Sequence, residues 1–254
     1  MGNILQLLWE SACQPIALAL QEMEHPKGSR VWWCPVGRLS ALPLHAAGTY
    51  DNKGVLIEGF PDLYVSSYTP TLSSLIASRA TAVTGGSGLR LLAVAVKLVT
   101  QSQGRVIQIE EFIPQSCTEG TGCSPFKSGF ILHDNKKLSL RDIMQARLPN
   151  AELAFLAACH SAAIESESET PDEVLTLAAA MQFCGFRSIV GTLWTMSDED
   201  GPVLAEKFYK HMLRHGLDQM DVRDSAEAVH LATESMRKAK VPLHRWTTFV
   251  HVGI

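Results

Sequence analysis

Two adjacent residues in the middle of the chain, Cys159 and His160, have side chains suited to nucleophilic and acid–base chemistry. They follow the small and apolar run Leu153–Ala158, which is typical of a parallel strand buried on both faces. Open α/β sheets place their sites beyond the carboxyl ends of such strands, so Cys159 stands where a nucleophile would be presented. The other interpretation of Cys159 is a small buried hydrophobe, because free cysteine is among the most buried residue types.

A catalytic thiol needs a partner, because only the thiolate attacks a peptide carbonyl and a free thiol is mostly protonated at neutral pH. We interpret His45, inside the apolar segment 39–48, as a hydrogen-bonded structural histidine, and His133 as a solvated neighbour of a turn. His160 adjoins Cys159, so its side chain leaves the backbone in a different direction. None of these three is a well-placed base.

Acidic residues occur in two places after Cys159. The segment 164–170 carries Glu165, Glu167 and Glu169, which form either a solvated loop or, beside a catalytic Cys159, a surface that draws basic substrate residues. Further on, Ser197 is predicted to cap a helix whose first turn holds residues 198–200, all acidic. Capping and the helix dipole explain these acids, so we expect Asp198 to be structural.

Composition bounds the class of protein. A chain of 254 residues, 46% hydrophobic and 19% charged, is long enough for one large globular α/β domain. A net charge of −4 without a basic face predicts no nucleic-acid partner and no membrane partner. Six scattered cysteines without paired metal spacing indicate reduced thiols and an intracellular, cytoplasmic protein, with no metal and no cofactor.

The apolar patterns predict the elements that position these residues. An amphipathic helix over Ile4–Glu24 with a kink or break at Pro15 opens the chain. Helices and strands then alternate toward a final strand at Thr247–Val252, which favours an open, doubly wound α/β sheet. The other predicted strands are Arg30–Cys34, Val55–Ile57, Leu63–Ser66, 89–96, Phe130–His133, Leu138–Leu140, Leu153–Ala158 and Arg187–Trp194. The segment 100–127 is the least regular part of the chain and holds one short alternating piece, Val106–Ile109.

Several segments together resemble the CHAT domain, a caspase-like module often found behind tetratricopeptide repeats, and are most similar to its fungal members. The matching segments are residues 32–48, 66–75, 127–143, 151–162, 172–202 and 246–254. The resemblance implies a single domain over 1–254 with a caspase-like, mostly parallel sheet and helices on both faces. It also implies that Cys159 is the nucleophile and that a histidine at the end of a neighbouring strand is its base.

The sequence departs from the family at that base. Related sequences carry a His-Gly pair at the position that falls within Ser116–Gly120, where no histidine stands here, and the segment between about 100 and 127 is shorter than theirs. We therefore expect a protein-interaction or regulatory module with impaired or absent peptidase activity. The alternative is an active cysteine endopeptidase that uses Cys159 with an unidentified base. The implied partners are a protein or peptide and tetratricopeptide-repeat proteins.

Overall fold

Strands and helices alternate along the chain. The computed structural model describes residues 1–80, 90–95, 109–113, 129–132, 137–145, 151–157, 176–194 and 196–254. The described strands are β1 (Arg30–Trp33), β2 (Gly48–Tyr50), β3 (Leu56–Gly59), β4 (Val65–Tyr68), β5 (Arg90–Ala95), β6 (Ile109–Ile113), β7 (Gly129–Leu132), β8 (Lys137–Ser139), β9 (Ala151–Ala157), β10 (Ser188–Thr192) and β11 (Phe249–Gly253). The described α-helices are α1 (Gly2–Leu8), α2 (Gln14–Glu22), α3 (Leu72–Ala80), α4 (Leu140–Gln145), α5 (Thr176–Phe183), α6 (Asp200–Met212), α7 (Ser225–Lys238) and α8 (Leu243–Trp246).

A six-stranded sheet in the order β1-β4-β11-β10-β9-β5 is the centre of the fold. Every neighbouring pair is parallel except β10 and β11, which run antiparallel with Val190 opposite His251. The α/β class and the mostly parallel sheet are therefore confirmed. The last strand lies between the early strand β4 and the later strand β10, so residues far apart in sequence share one sheet.

Apolar side chains pack on both faces of this sheet. On one face, α1, α2 and α5 cover the side chains of Ile189, Val250 and Val252. On the other face, α6 and α7 cover Phe155 and Phe249. Alternate residues of a strand point to opposite faces, which explains why the buried strands are apolar throughout.

The N-terminal helix is confirmed, but it does not break at Pro15. A π-helical turn over Trp9–Cys13 joins α1 to α2, and Pro15 stands in the first turn of α2. In the π turn the Gln14 N–H donates to the Trp9 carbonyl, five residues back, so the helical hydrogen bonds are shifted just before Pro15, which has no N–H. The wider π turn keeps the chain helical where a regular helix would have required the missing N–H.

Other predicted elements are confirmed with shifted ends, and the predicted cap of one helix is wrong. Strand β6 begins at Ile109, the last residue of the alternating piece Val106–Ile109, and pairs with β7 in a small three-stranded sheet, while residues 106–108 lie outside the described residues. Helix α6 begins at Asp200, with Glu199 at the N-cap and no side-chain cap hydrogen bond, so Ser197 is not the cap. Asp198 and Glu199 precede this helix because a turn closed by Asp200 N–H and the Ser197 carbonyl comes first, at 2.9 Å.

Candidate functional site

The carboxyl ends of β5, β9 and β10 meet at one edge of the sheet. These three strands are parallel neighbours, and Ala95 of β5 stands opposite Ala157 of β9. Cys159 follows Ala157 by two residues in the chain and lies outside the described residues. His160 and the three glutamates at 165, 167 and 169 lie outside them as well. The strand that leads to Cys159 is thus confirmed as a central parallel strand, and the role of Cys159 stays a prediction.

The residues that leave β10 are fastened to the segment before β11. The Leu193 N–H donates to the Thr248 carbonyl at 2.8 Å, and the Trp194 N–H donates to Thr248 Oγ1 at 3.1 Å. Thr248 Oγ1 in turn donates to the Trp194 carbonyl at 2.9 Å, and the Trp194 indole donates to the His244 carbonyl at 2.9 Å. Leu193 and Trp194 are therefore hydrogen-bonded toward β11, on the side of β10 that faces away from β9.

An ion pair fixes the start of α6 against α8. Asp200 is 2% exposed, and both of its carboxylate oxygens accept hydrogen bonds from Arg245 at 2.8 Å. Arg245 also donates to Glu199 at 3.1 Å, and these carboxylates raise the pKa of Arg245. Asp198 is exposed, and none of the described residues pairs with it. The ion pairs of the acids at 199 and 200 with Arg245 thus hold α6 and α8 together.

The strands that flank β9 do not lead into a histidine. β10 is followed by Leu193 and Trp194, and the first histidine after it in the chain is His211. β5 ends at Ala95, and no histidine occurs in the sequence from there to His133, which lies outside the described residues. A histidine base for Cys159 would therefore have to come from a part of the chain other than the ends of β5 and β10.

His45 lies in a short 3-10 turn, where it is hydrogen-bonded to Tyr68 of β4. Its ring Nδ1 lies 2.9 Å from the Tyr68 hydroxyl, which also accepts the His45 backbone N–H at 3.1 Å. Burial, and then the nearby His230, lower the pKa of His45 to about 3, against a smaller opposite effect of the Thr247 backbone. Tyr68 belongs to β4, which β11 and β10 separate from β9. His45 is thus a neutral histidine away from the Cys159 edge.

His251 lies at the centre of a buried polar network that the sequence did not reveal. Arg30 Nε donates to Ser67 Oγ at 2.6 Å, and Ser67 Oγ lies 3.0 Å from His251 Nδ1. On the other side of the ring, His251 Nε2 lies 2.8 Å from Ser188 Oγ and 3.0 Å from Ser225 Oγ. Burial, and then the charge of Arg30, lower the pKa of His251 well below its usual range.

One protonation state satisfies this whole network. Arg30 has no acceptor atom and its Nη2 lies 3.1 Å from His251 Nδ1, so Nδ1 must be the ring's acceptor. The Ser67 hydroxyl then donates to Nδ1, and the ring donates through Nε2–H to Ser188. Ser188 donates to Ser225, which donates to the Val222 carbonyl. His251 is therefore a neutral core histidine that joins β1, β4, β10, β11 and the start of α7.

A family comparison agrees with this architecture. The model of the CHAT domain matches residues 117–254, more than half of the chain. The chain belongs to the CHAT domain family. The match contains β9, β10 and β11, while β1, β4 and β5 complete the same sheet from residues that precede the match. A search of curated proteins finds no match for the chain.

Two of the cysteines described in this CHAT domain, Cys13 and Cys184, are not activated thiols. Burial raises the pKa of Cys13 to about 12 and that of Cys184 to about 11. Cys34 is exposed, and all three are free. Within the described ranges, no group of three or more His, Cys, Asp or Glu side chains could hold a metal ion. None of the described helices is long and apolar enough to cross a membrane.

Proposed function

We propose that this CHAT domain has impaired or absent peptidase activity and acts as a protein-interaction or regulatory module. The observation that carries the proposal is that neither strand beside β9 leads into a histidine. A base acts on a nucleophile at about 3 Å, directly or through one water. Its loss typically lowers a rate by about a hundred- to ten-thousand-fold, which leaves only weak background cleavage.

Three of the described histidines, His45, His244 and His251, are poor substitutes for that base. His251 is on β11 and His45 contacts β4, which are two and three strands away from β9. Adjacent strands lie about 4.8 Å apart, so even β11 is about 10 Å from β9. His244 precedes β11, and its backbone is tied to Trp194 on the far side of β10. Burial also keeps His45 and His251 neutral and engaged in hydrogen bonds.

The alternative function is a cysteine endopeptidase that uses Cys159 with a base that we have not identified. The position of β9 as a central parallel strand favours it, because that position presents the following residues at the edge where α/β enzymes bind substrates. The two functions predict different thiol chemistry at Cys159. A histidine partner lowers a thiol pKa to about 3.5–7.5, whereas an unassisted thiol titrates near 8.5.

The pH dependence of alkylation at Cys159 tests the proposal without a known substrate. Native protein is treated briefly with iodoacetamide from pH 5 to 10, and labelling is mapped by mass spectrometry, with the exposed Cys34 as the internal reference. We expect Cys159 either to follow the profile of Cys34 or to remain unlabelled. A midpoint at Cys159 below about pH 7, as activated thiols show, would contradict the proposal.

Turnover of a peptide library provides the second test. Wild type, Cys159→Ala and the matched control Cys34→Ala should give the same weak background. Robust cleavage that disappears only in Cys159→Ala would establish the endopeptidase instead.

The partners and location that we propose follow from the family and from the cysteines. Proteins or peptides are the partner class, and tetratricopeptide-repeat proteins are the first to test because CHAT modules are often found behind such repeats. Three free cysteines in the described part of the chain support a cytoplasmic location. Co-purification from cell extract followed by mass spectrometry identifies the partners, and fractionation establishes the location.

A further inference from the structure

A small cavity lies between helix α7 and the strands β4 and β11. Its volume is about 30 Å³, which is room for roughly one or two water molecules, because one water needs about 10–15 Å³. The described side chains that line it come from α7, from both strands, from Trp246 of α8 and from the turns that carry His45 and Pro61. The cavity thus lies where the first part of the chain meets the C-terminal helices.

His45 lines this cavity and has a buried donor without an acceptor. The Tyr68 hydroxyl accepts the His45 backbone N–H at 3.1 Å, and the proton of that hydroxyl has His45 Nδ1, 2.9 Å away, as its acceptor. Nδ1 is therefore the acceptor of the ring, and Nε2 carries the proton. Nε2 is buried, and no described atom forms a hydrogen bond with it. A buried donor is ordinarily satisfied by a protein group or by a bound molecule.

Other polar groups near His45 can complete the hydrogen bonds of such a molecule. Thr233 Oγ1 donates to carbonyls of α7 and keeps lone pairs that can accept. Burial has the largest effect on the pKa of His230 and lowers it, so this ring is neutral at pH 7 and offers one donor and one acceptor nitrogen. The Thr247 backbone raises the pKa of His45, which indicates a carbonyl near that ring. Donors and acceptors therefore surround the same small space.

The lining selects a neutral ligand. None of the described lining side chains is Asp, Glu, Lys or Arg. Burial is the largest cause that lowers the pKa values of the lining residues His45, His230 and His251, so these surroundings disfavour charge. The ligand must accept a hydrogen bond from His45, donate to the acceptors on α7 and fit the small volume. Water meets all of these conditions.

We propose that this cavity is a binding site for an ordered water molecule that accepts the His45 Nε2–H and donates to His230 or Thr233 of α7. Buried waters typically form about three hydrogen bonds and are costly to remove. This water joins the turn Leu44–Ala46 to α7, two segments that are far apart in the sequence. Strand β10 separates the site from β9, and the site does not depend on the chemistry of Cys159.

Proton NMR of the full chain with carbon-13 in its valine methyl groups tests the site directly. Carbon-bound protons do not exchange with solvent, so a nuclear Overhauser cross-peak between water and a methyl group reports a water molecule in contact with it. Val229 and Val250 line the cavity, and Val36, which is 74% exposed, is the matched control for surface water. We expect cross-peaks with the sign of a bound water at Val229 or Val250 and not at Val36. Their absence from both cavity residues would overturn the proposal, as would xenon binding in the cavity, because dry apolar cavities bind xenon.

The variant His45→Phe tests the hydrogen bond from Nε2. It keeps an aromatic ring at this position and removes the donor, so we expect the water cross-peaks at Val229 and Val250 to be lost. The matched control is His215→Phe, on an exposed histidine, which should leave the cross-peaks unchanged. Cross-peaks of unchanged intensity in His45→Phe would overturn the assignment of Nε2 as the donor. The wild-type measurement stands whether or not this variant folds.

Discussion

Replacing His251 with alanine removes the ring that joins the buried polar network. In the wild type, Ser67 donates to Nδ1, and Nε2–H donates to Ser188. In His251→Ala, the Ser67 hydroxyl retains the Arg30 donor but loses its own acceptor. Ser188 loses a donor but still donates to Ser225. Arg30 Nη2 keeps the Gly253 carbonyl as its acceptor at 3.1 Å.

The expected loss of stability follows from these changes. The Ser67 hydroxyl becomes an orphaned buried donor, which costs about 1–3 kcal/mol, and the lost hydrogen bond from Nε2–H to Ser188 costs about 1 kcal/mol. The sum is about 2–4 kcal/mol before any cost of the cavity left by the ring. A loss of that size is a large fraction of the roughly 5–15 kcal/mol that holds a domain folded.

Urea unfolding followed by tryptophan fluorescence measures this loss. His215→Ala is the matched control, because His215 is exposed and makes no contact with the network. Nitrogen NMR of the wild type adds an independent check, since we expect a neutral His251 ring with its proton on Nε2 at pH 7. The reasoning would be refuted by a His251→Ala variant within 1 kcal/mol of the wild type, or by a proton on Nδ1.

Three further predictions concern acid stability, an ion pair and thiol access. Unfolded histidine titrates near pH 6.5, whereas burial lowers the pKa of His45 to about 3 and that of His251 well below its usual value. The unfolded chain therefore binds more protons, and stability is complete above pH 6.5 and falls toward pH 3. Each histidine contributes a slope of up to about 1.4 kcal/mol per pH unit, measurable as the urea midpoint at each pH; a flat profile would contradict this origin. Arg245→Met leaves the Asp200 carboxylate buried without its partner, so the melting temperature should fall, and adding Asp200→Asn should restore part of it; additive losses would contradict the coupling. Brief iodoacetamide treatment of native protein should label Cys34 and leave the other two described cysteines unlabelled until urea is added, and early labelling of those two would show that they are not buried.

Sequence patterns predicted the elements that depend on local chemistry. The buried strands β9 and β10 are continuous apolar runs, which is the pattern that predicted them. The start of α6 was mispredicted because an acidic turn after Ser197 looks like a capped helix. Its Asp200 instead pairs with Arg245, a contact across 45 residues that no local pattern encodes.

The candidate site was predicted in part. The family motif located Cys159 and the absence of a histidine at 116–120, and both are sequence observations. The polar network around His251 was missed because each member stands alone in its own segment. A histidine between valines in the final strand was the one available signal. Its partners on β1, β4 and β10 become neighbours only through the sheet order.

The position of β11 in the sheet determines when the chain can complete its fold during synthesis. Strands β1 and β4 touch the rest of the sheet only through β11, because β11 lies between β4 and β10. Until the ribosome has made residues 249–253, the nascent chain holds two separate half-sheets with unpaired inner edges. Such edges recruit other strands, so this interval is the one in which aggregation and chaperone binding compete with folding. A premature stop before Phe249 would therefore leave a chain whose halves cannot join.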